Sequence, residues 1–386
     1  MTREVKLVDI KAQYDEIKDE LHREWERAFD SMHLILGPNM VAFETEFAAY
    51  CGAEAAAAVD SGTSALLLAL RSMGIGEGDE VIMPSWTFFA TPESVILAGA
   101  HPVMVDIDET TLNIAPGKVR DYIEANCRRQ GDRWVDRKTG KNLRAIIPVH
   151  IFGLPAQMDE LTAIAEEYRL LVLEDCAQAH GAVYKGRKVG SIGDCAAFSF
   201  YLSKNLSALG EAGIILARDR EKIERVKLLR VHGQSDRYHH SDIGYNARMD
   251  ELQAVVLRLK LKKLDEWNRK RNQAARMYDE RLRDLPLVLP ARVPGAESVY
   301  HLYVIRCRNR DRLAEHLKQG RIGVGIHYPI PCHLQPALSF LGYGAGSLPV
   351  TEKMAGEVLT IPMHPHLTVD DIDRVSGSIR DFFLNH

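Results

Sequence analysis

Between Val81 and Leu216, short β-rich runs alternate with helical patterns. This alternation constrains the fold more than any other feature of the chain. Parallel strands need a long crossover between them, so a strand–helix repeat builds a mainly parallel sheet with helices on its faces. The pattern predicts strands at Val81–Met83, Pro102–Val105, Ala145–Val149, Leu170–Leu173, Ala196–Phe200 and Gly213–Ala217. It predicts helices around Ser64–Ser72, Pro92–Leu97, Met158–Glu167 and Arg220–Leu229. The run Leu170–Leu173 is nearly unbroken in its apolar character, as a strand covered on both faces must be. In an open α/β sheet, ligands bind outside the carboxyl ends of the strands. Chemistry is to be sought there.

The texture changes after Asp250. A long helical pattern leads into PLVLPARVPGAE, whose prolines interrupt regular structure, and then come a strand-like SVYHLYVIRC and two further helical segments. A chain of 386 residues is too long for one simple core. The expected division is a large domain over 1–250, including an N-terminal helical segment, and a small C-terminal α/β domain over 251–386. The polar, glycine-punctuated stretch Asn126–Asn142 reads as a surface hairpin or insertion.

Composition excludes several partners. With 49 basic and 53 acidic residues the net charge is -4, which gives no general attraction to nucleic acid. The basic stretch Arg258–Arg283 alternates in sign and carries Leu259, Leu264, Trp267 and Met277 at helical spacing, so it reads as an amphipathic helix with a packed face. No apolar run is long enough to span a bilayer, and the first residues are charged rather than signal-like. Six scattered cysteines without a CxxC pair fit a reducing, cytoplasmic setting.

Three segments at the edges of expected elements suggest one site. Asp60-Ser61-Gly62-Thr63-Ser64 opens a helix, and the amides of such an end can hold a phosphate; the same residues serve equally as a helix cap. Glu174-Asp175 ends the most buried strand, so Asp175 needs either a cationic partner or a hydrogen-bond network. Lys204 follows the alternating aromatic strand Phe198–Leu202; alone it is an ordinary surface lysine, but beside an acid and a phosphate site it is a candidate nucleophilic amine. A phosphate, a ring that accepts an aspartate and an aldehyde for a lysine together describe pyridoxal 5′-phosphate. No GxGxxG or GxxxxGK[ST] pattern supports a dinucleotide or nucleoside triphosphate instead, and His327 and His333 lack the further ligands of a zinc site. No metal is expected.

The segments ILGPNMVAFETEFAAYCG, VDSGTSALLLAL, GDEVIMPSWTFFAT, VLEDCAQAHG, FSFYLSKNLSALGEAG, GYNARMDELQA and HYPIPCHLQPA occur in an order that resembles the DegT/DnrJ/EryC1/StrS family of pyridoxal-phosphate-dependent nucleotide-sugar aminotransferases. The resemblance implies the aspartate-aminotransferase-like type I fold, with a mostly parallel mixed sheet in the large domain. It implies that Lys204 forms the Schiff base with the cofactor, Asp175 contacts the pyridine nitrogen and Gln178 the ring hydroxyl. Phe88 would stack on the ring. Gly62, Thr63 and Ser199 would hold the phosphate, joined by Asn246 from a neighbouring subunit, which makes a homodimer with shared sites. His327, Tyr328 and His333 would lie on the sugar side. Two positions depart from the family pattern: Leu202 precedes SKN, and Ala212 stands where a second glycine is common.

The expected reaction moves an amino group from glutamate to a nucleotide-linked keto-sugar by way of pyridoxamine phosphate, with a 3-keto-6-deoxyhexose as the first choice. A 4-keto-sugar or keto-cyclitol, another pyridoxal-phosphate reaction such as dehydration or racemisation, and a noncatalytic sensor or scaffold of the same fold remain alternatives.

Overall fold

In a computed structural model describing residues 3–385, the apolar runs become strands covered on both faces. They form a nine-stranded sheet whose main path runs Ala55–Val59, Gly213–Ala217, Cys195–Ser199, Leu171–Asp175, Asn142–Ile146, Asp79–Pro84, His101–Val105. From Cys195–Ser199 to His101–Val105 every neighbour is parallel, while Gly213–Ala217 runs antiparallel to both of its neighbours. The stretch expected as a hairpin is one, Cys127–Gln130 against Arg133–Asp136, added to the sheet edge beside Asn142–Ile146.

Helices cover the sheet because their apolar sides have no other place to go. One core holds Phe43, Phe47, Ile146, Val172, Phe198 and Ile214; the opposite face packs Leu68, Val81, Leu173, Ala197 and Ile215 under the helix Gly62–Ser72. Three phenylalanines stack edge to face, with Phe47 5.0 Å from Phe198 and 5.3 Å from Phe200.

A separate core contains Tyr278, Tyr303, Leu313, Leu359, Val375 and Phe382 and gathers the C-terminal part of the chain, with Val5 crossing over to join it. The helix Glu251–Leu261, assigned to the small domain by the change in texture, shares its buried residues with the larger unit: Ala254 and Leu257 join its main core, and Val255, Val256 and Leu259 pack on Ile17 and Leu21. The small core begins only within Leu264–Leu282. The amphipathic segment expected as one helix is thus two, separated at Lys262–Lys263, with Leu259, Leu264 and Trp267 buried as expected. Among the described residues no helix is long and apolar enough to cross a membrane.

A buried ion pair ties the outer strand to the helices. Glu44 accepts the Ala58 amide at 2.8 Å, and Arg230 donates to both Glu44 and the Ala58 carbonyl. Replacing one member of such a pair strands the other charge in a medium that cannot solvate it. Arg230→Met is expected to lower the unfolding free energy by about 3 kcal/mol, read from urea melts.

Candidate active site

The carboxyl ends of the parallel strands open into a cavity of about 460 Å³. Successive side chains of a strand point to opposite faces, and this separates the two acids at the end of Leu171–Asp175. Glu174 turns into the protein. Its oxygens accept the amides of Gly190 (2.9 Å), Ile192 (2.8 Å) and Gly193 (2.8 Å), and His150 Nε2 lies 3.1 Å away. His150 Nδ1 accepts the Ala156 amide, so Nε2 carries the proton and donates to Glu174. Burial pushes the Glu174 carboxyl up, but His150 and the backbone amides outweigh it and hold the group below its usual range. His150, Glu174 and Cys176 cluster closely enough to suggest metal ligands. The imidazole nitrogens and both carboxylate oxygens are already committed to protein partners, which makes this a knot between loops.

Asp175 turns the other way and lines the cavity. Its Oδ2 accepts Thr91 Oγ1 at 2.8 Å and its Oδ1 the Ala177 amide at 3.1 Å. Burial raises its pKa, against the pull of Thr91, Ala177 and Lys204.

The phosphate-sized entrance rests on two close approaches. A Cβ at Gly62 would lie 2.5 Å from Ser199 Cβ, and one at Gly213 would lie 2.2 Å from the Ser61 carbonyl oxygen. No side chain fits at either position, so the Ser61–Gly62 turn can settle against Ser199 and the start of the antiparallel strand. Ser61 Oγ caps the helix by accepting the Ser64 amide at 3.1 Å. The earlier residues Gly62 and Thr63 line the cavity with Ser199, so capping and anion binding are compatible here.

Lys204 sits in a turn closed by its own amide on the Tyr201 carbonyl at 2.8 Å. Its neighbour Asn205 is buried and fixes that turn, donating to Asn268 Oδ1 (3.1 Å) and the Val299 carbonyl (3.0 Å). The Lys204 amine lines the cavity, and desolvation lowers its pKa to about 8 even though Asp175 and Glu211 pull it back up. Leu202 is half-buried outside the cavity lining, and Ala212 is a core residue whose carbonyl accepts the Phe200 amide.

Phe88, Gln178, His327 and Tyr328 also line the cavity. Gln178 is held on both sides, accepting the Phe152 amide at 2.7 Å and donating to Tyr328 Oη at 3.0 Å. His327 Nδ1 is 2.8 Å from Thr360 Oγ1, and burial, with Lys204 adding to it, depresses its pKa to about 4. His333 and Asn246 do not line this cavity, and Asn246 was expected to reach it only from a neighbouring subunit. His333 is buried away from the cavity with Nε2 3.1 Å from Glu352 Oε1, because its short helical turn packs down onto the large core through Cys332. Asn246 is exposed, in a segment bridged to Val231, and does not line its own chain's cavity.

The structure adds Thr87, Thr91, Glu211 and His301. His301 is buried with Nδ1 3.2 Å from Asn205 Oδ1, and desolvation keeps its imidazole neutral. Its signal in the sequence was a polar residue within the otherwise apolar run SVYHLYVI.

The family model of the DegT/DnrJ/EryC1/StrS aminotransferases matches residues 15–380. The chain belongs to that family. It is 42% identical over 378 residues to the "Erythromycin biosynthesis sensory transduction protein EryC1" of Saccharopolyspora erythraea, covering 98% of this chain and 99% of that protein. It is 41% identical over 382 residues to the "dTDP-3-amino-3,4,6-trideoxy-alpha-D-glucose transaminase" of Streptomyces venezuelae, covering 99% of this chain and 97% of that protein. Among solved structures, S. venezuelae DesV in complex with a ketimine intermediate superposes with a TM-score of 0.92 at 41% identity, covering 99% of each chain. The fold is therefore the aspartate-aminotransferase-like type I fold of pyridoxal-phosphate enzymes.

An amine is nucleophilic only when unprotonated. Below pH 8 the Lys204 amine is protonated, and above it neutral. In cofactor-free protein, labelling of Lys204 by an amine-reactive reagent, followed by peptide mass spectrometry, is expected to rise through a midpoint near pH 8, while exposed lysines rise nearer pH ~10.4.

Proposed function

We propose that this chain is a pyridoxal-phosphate-dependent aminotransferase moving an amino group from glutamate to a nucleotide-linked keto-sugar, with a 3-keto-6-deoxyhexose as the preferred acceptor. One observation carries the reading: a desolvated lysine amine, a buried carboxylate and a glycine-made helix entrance open on one cavity. The residues fit the cofactor. Gly62, Thr63 and Ser199 would hold its phosphate, Asp175 its ring nitrogen, Phe88 its ring face and Lys204 its aldehyde carbon. Gln178 would approach the ring hydroxyl from its place beside Tyr328.

When bound, the cofactor supplies an electron-poor ring that stabilises negative charge at the amino donor's α-carbon. The protein's own part is proton handling and placement. Lys204 would hold the cofactor's aldehyde carbon and, as a free amine, would move the proton of the donor α-carbon; a pKa lowered to about 8 suits it to both accept and give that proton. Asp175, as a carboxylate, favours a protonated ring nitrogen by opposite charge. His327 and Tyr328 face the acceptor sugar, and the neutral imidazole offers a hydrogen bond without a competing charge.

The reading includes a cytoplasmic homodimer. Asn246 reaches a phosphate only from a second copy, and Phe29, Met32, Ile35, Leu36 and Val41 form an exposed apolar group available to such a contact. The relative named as a sensory transduction protein motivates a second reading, a sensor that binds the cofactor without turnover. The two separate on one measurement. A transaminase bleaches its visible absorption band when glutamate is added and regains it with a keto-sugar acceptor, and a sensor does neither.

Lys204→Ala is expected to lose at least about a hundredfold in turnover while keeping the fold and some cofactor, measured by glutamate-dependent amination of a panel of nucleotide keto-sugars. Near-normal turnover in that variant would overturn the assignment. Asp175→Asn is expected to bind cofactor and lose most of the rate.

A further inference from the structure

The wall behind Asp175 contains two hydroxyls that the roles above leave unused. Thr91 lies in the first turn of the helix Ala90–Leu97, and Thr87 lies in the loop that leads into it; both are buried. Thr91 Oγ1 is 2.8 Å from Asp175 Oδ2, and Thr87 Oγ1 is 2.8 Å from Thr91 Oγ1. The direction of these bonds follows from proton counting. A carboxylate only accepts, so the single Thr91 proton goes to Asp175. The Thr91 oxygen can then serve Thr87 only as an acceptor, and the Thr87 proton is committed too. Both donors point toward one carboxylate, and each bond polarises the next.

The other groups around Asp175 define what this chain must offset. Lys204 lines the same cavity and lowers the Asp175 pKa from that side, and His150 adds a smaller pull in the same direction. His150, on the segment beside the strand, is turned toward Glu174, and Glu174 itself occupies the opposite face. The Tyr328 hydroxyl is bonded to Gln178 rather than to Asp175. Among the described residues, the donors that reach the acid's side chain are the Ala177 amide and the Thr91 hydroxyl.

We propose that Thr91, backed by Thr87, holds Asp175 in its carboxylate form at the cavity wall and through it sets the protonation of the cofactor's ring nitrogen. The second half of this inference rests on the pyridoxal-phosphate reading; the first does not. Both threonines are positioning residues. β-Branching suits the task, since it restricts χ1 and so the direction of the hydroxyl. The loop that carries Thr87 is pinned in turn from the C-terminal part of the chain: Cys332 donates its amide to the Ser85 carbonyl at 3.1 Å and its thiol to the Thr87 carbonyl at 3.2 Å. The docking of Pro331–Leu334 thereby helps to fix the relay.

The test titrates Asp175 directly, by carbon-13 NMR of labelled aspartate in cofactor-free protein, for wild type, Thr91→Val, Thr91→Ser and Thr87→Val. Thr91→Val is expected to raise the Asp175 midpoint by about one to two pH units, Thr91→Ser to restore it, and Thr87→Val to raise it by less. A wild-type midpoint in folded Thr91→Val overturns the proposal. Thr87→Val leaves the bond between Thr91 and Asp175 in place, so it carries the test if Thr91→Val does not fold, and an unchanged midpoint there overturns the relay. The loaded protein is read separately with nitrogen-15 pyridoxal phosphate. The ring nitrogen is expected to be less protonated at neutral pH in Thr91→Val than in wild type, and an unchanged nitrogen signal overturns the link to the cofactor. If wild type takes up no pyridoxal phosphate, the functional reading fails, while the carboxylate titration still decides the role of the threonines.

Discussion

Two neighbouring carboxylates at the end of a buried strand take different hydrogen-bond partners, because the pleat sends them to opposite faces. The site is organised around that separation. Glu174 gathers His150 and the amides of Gly190, Ile192 and Gly193, and so fixes the loops on the far side of the sheet. With those loops fixed, Asp175 can stand at the cavity wall with few partners and remain reactive toward a ligand. A desolvated charge held by two hydrogen bonds responds to a cation placed opposite it far more than a solvated one does.

What was legible in the sequence follows where the chain is periodic. Asp175, Ser199 and Gly62 each close or open an element whose pattern could be read, and an element's end fixes where its last side chain points relative to the sheet. Lys204 was found because it sits in the turn that follows the strand Cys195–Ser199. Thr87 and Thr91 escaped because a threonine in a loop or a helix turn has no distinctive local signature, and His301 because a polar residue in an apolar run does not say where its side chain points. Their direction is set by packing between parts of the chain far apart in sequence. The loop Gly325–Gln335 shows the limit most clearly. His327 and His333 looked equivalent there, yet one faces the cavity and the other is turned down onto Glu352. The helix Glu251–Leu261 matches the segment that follows in composition, while its buried residues pack with the segment before.

Family membership and cavity geometry bear on different parts of the function. The geometry explains a cofactor with a phosphate, a basic ring and a reactive carbonyl. The names of the relatives mention particular sugars; in the proposed reading His327 and Tyr328, which line the cavity, would face the acceptor. On that reading, acceptor choice would vary by changes in one loop, with the proposed roles of Lys204 and Asp175 intact.

The phosphate entrance is assembled from the turn at Ser61–Gly62, the end of Cys195–Ser199 and the start of Gly213–Ala217. The last of these is the reversed strand, and it pairs with both Ala55–Val59 and Cys195–Ser199. The entrance consequently does not exist in any partly formed sheet that lacks this strand. Its pairing with Ala55–Val59 joins parts of the chain far apart in sequence, and such contacts carry the larger loop-closure cost. On the pyridoxal-phosphate reading, capture of the phosphate would therefore depend on a completed sheet.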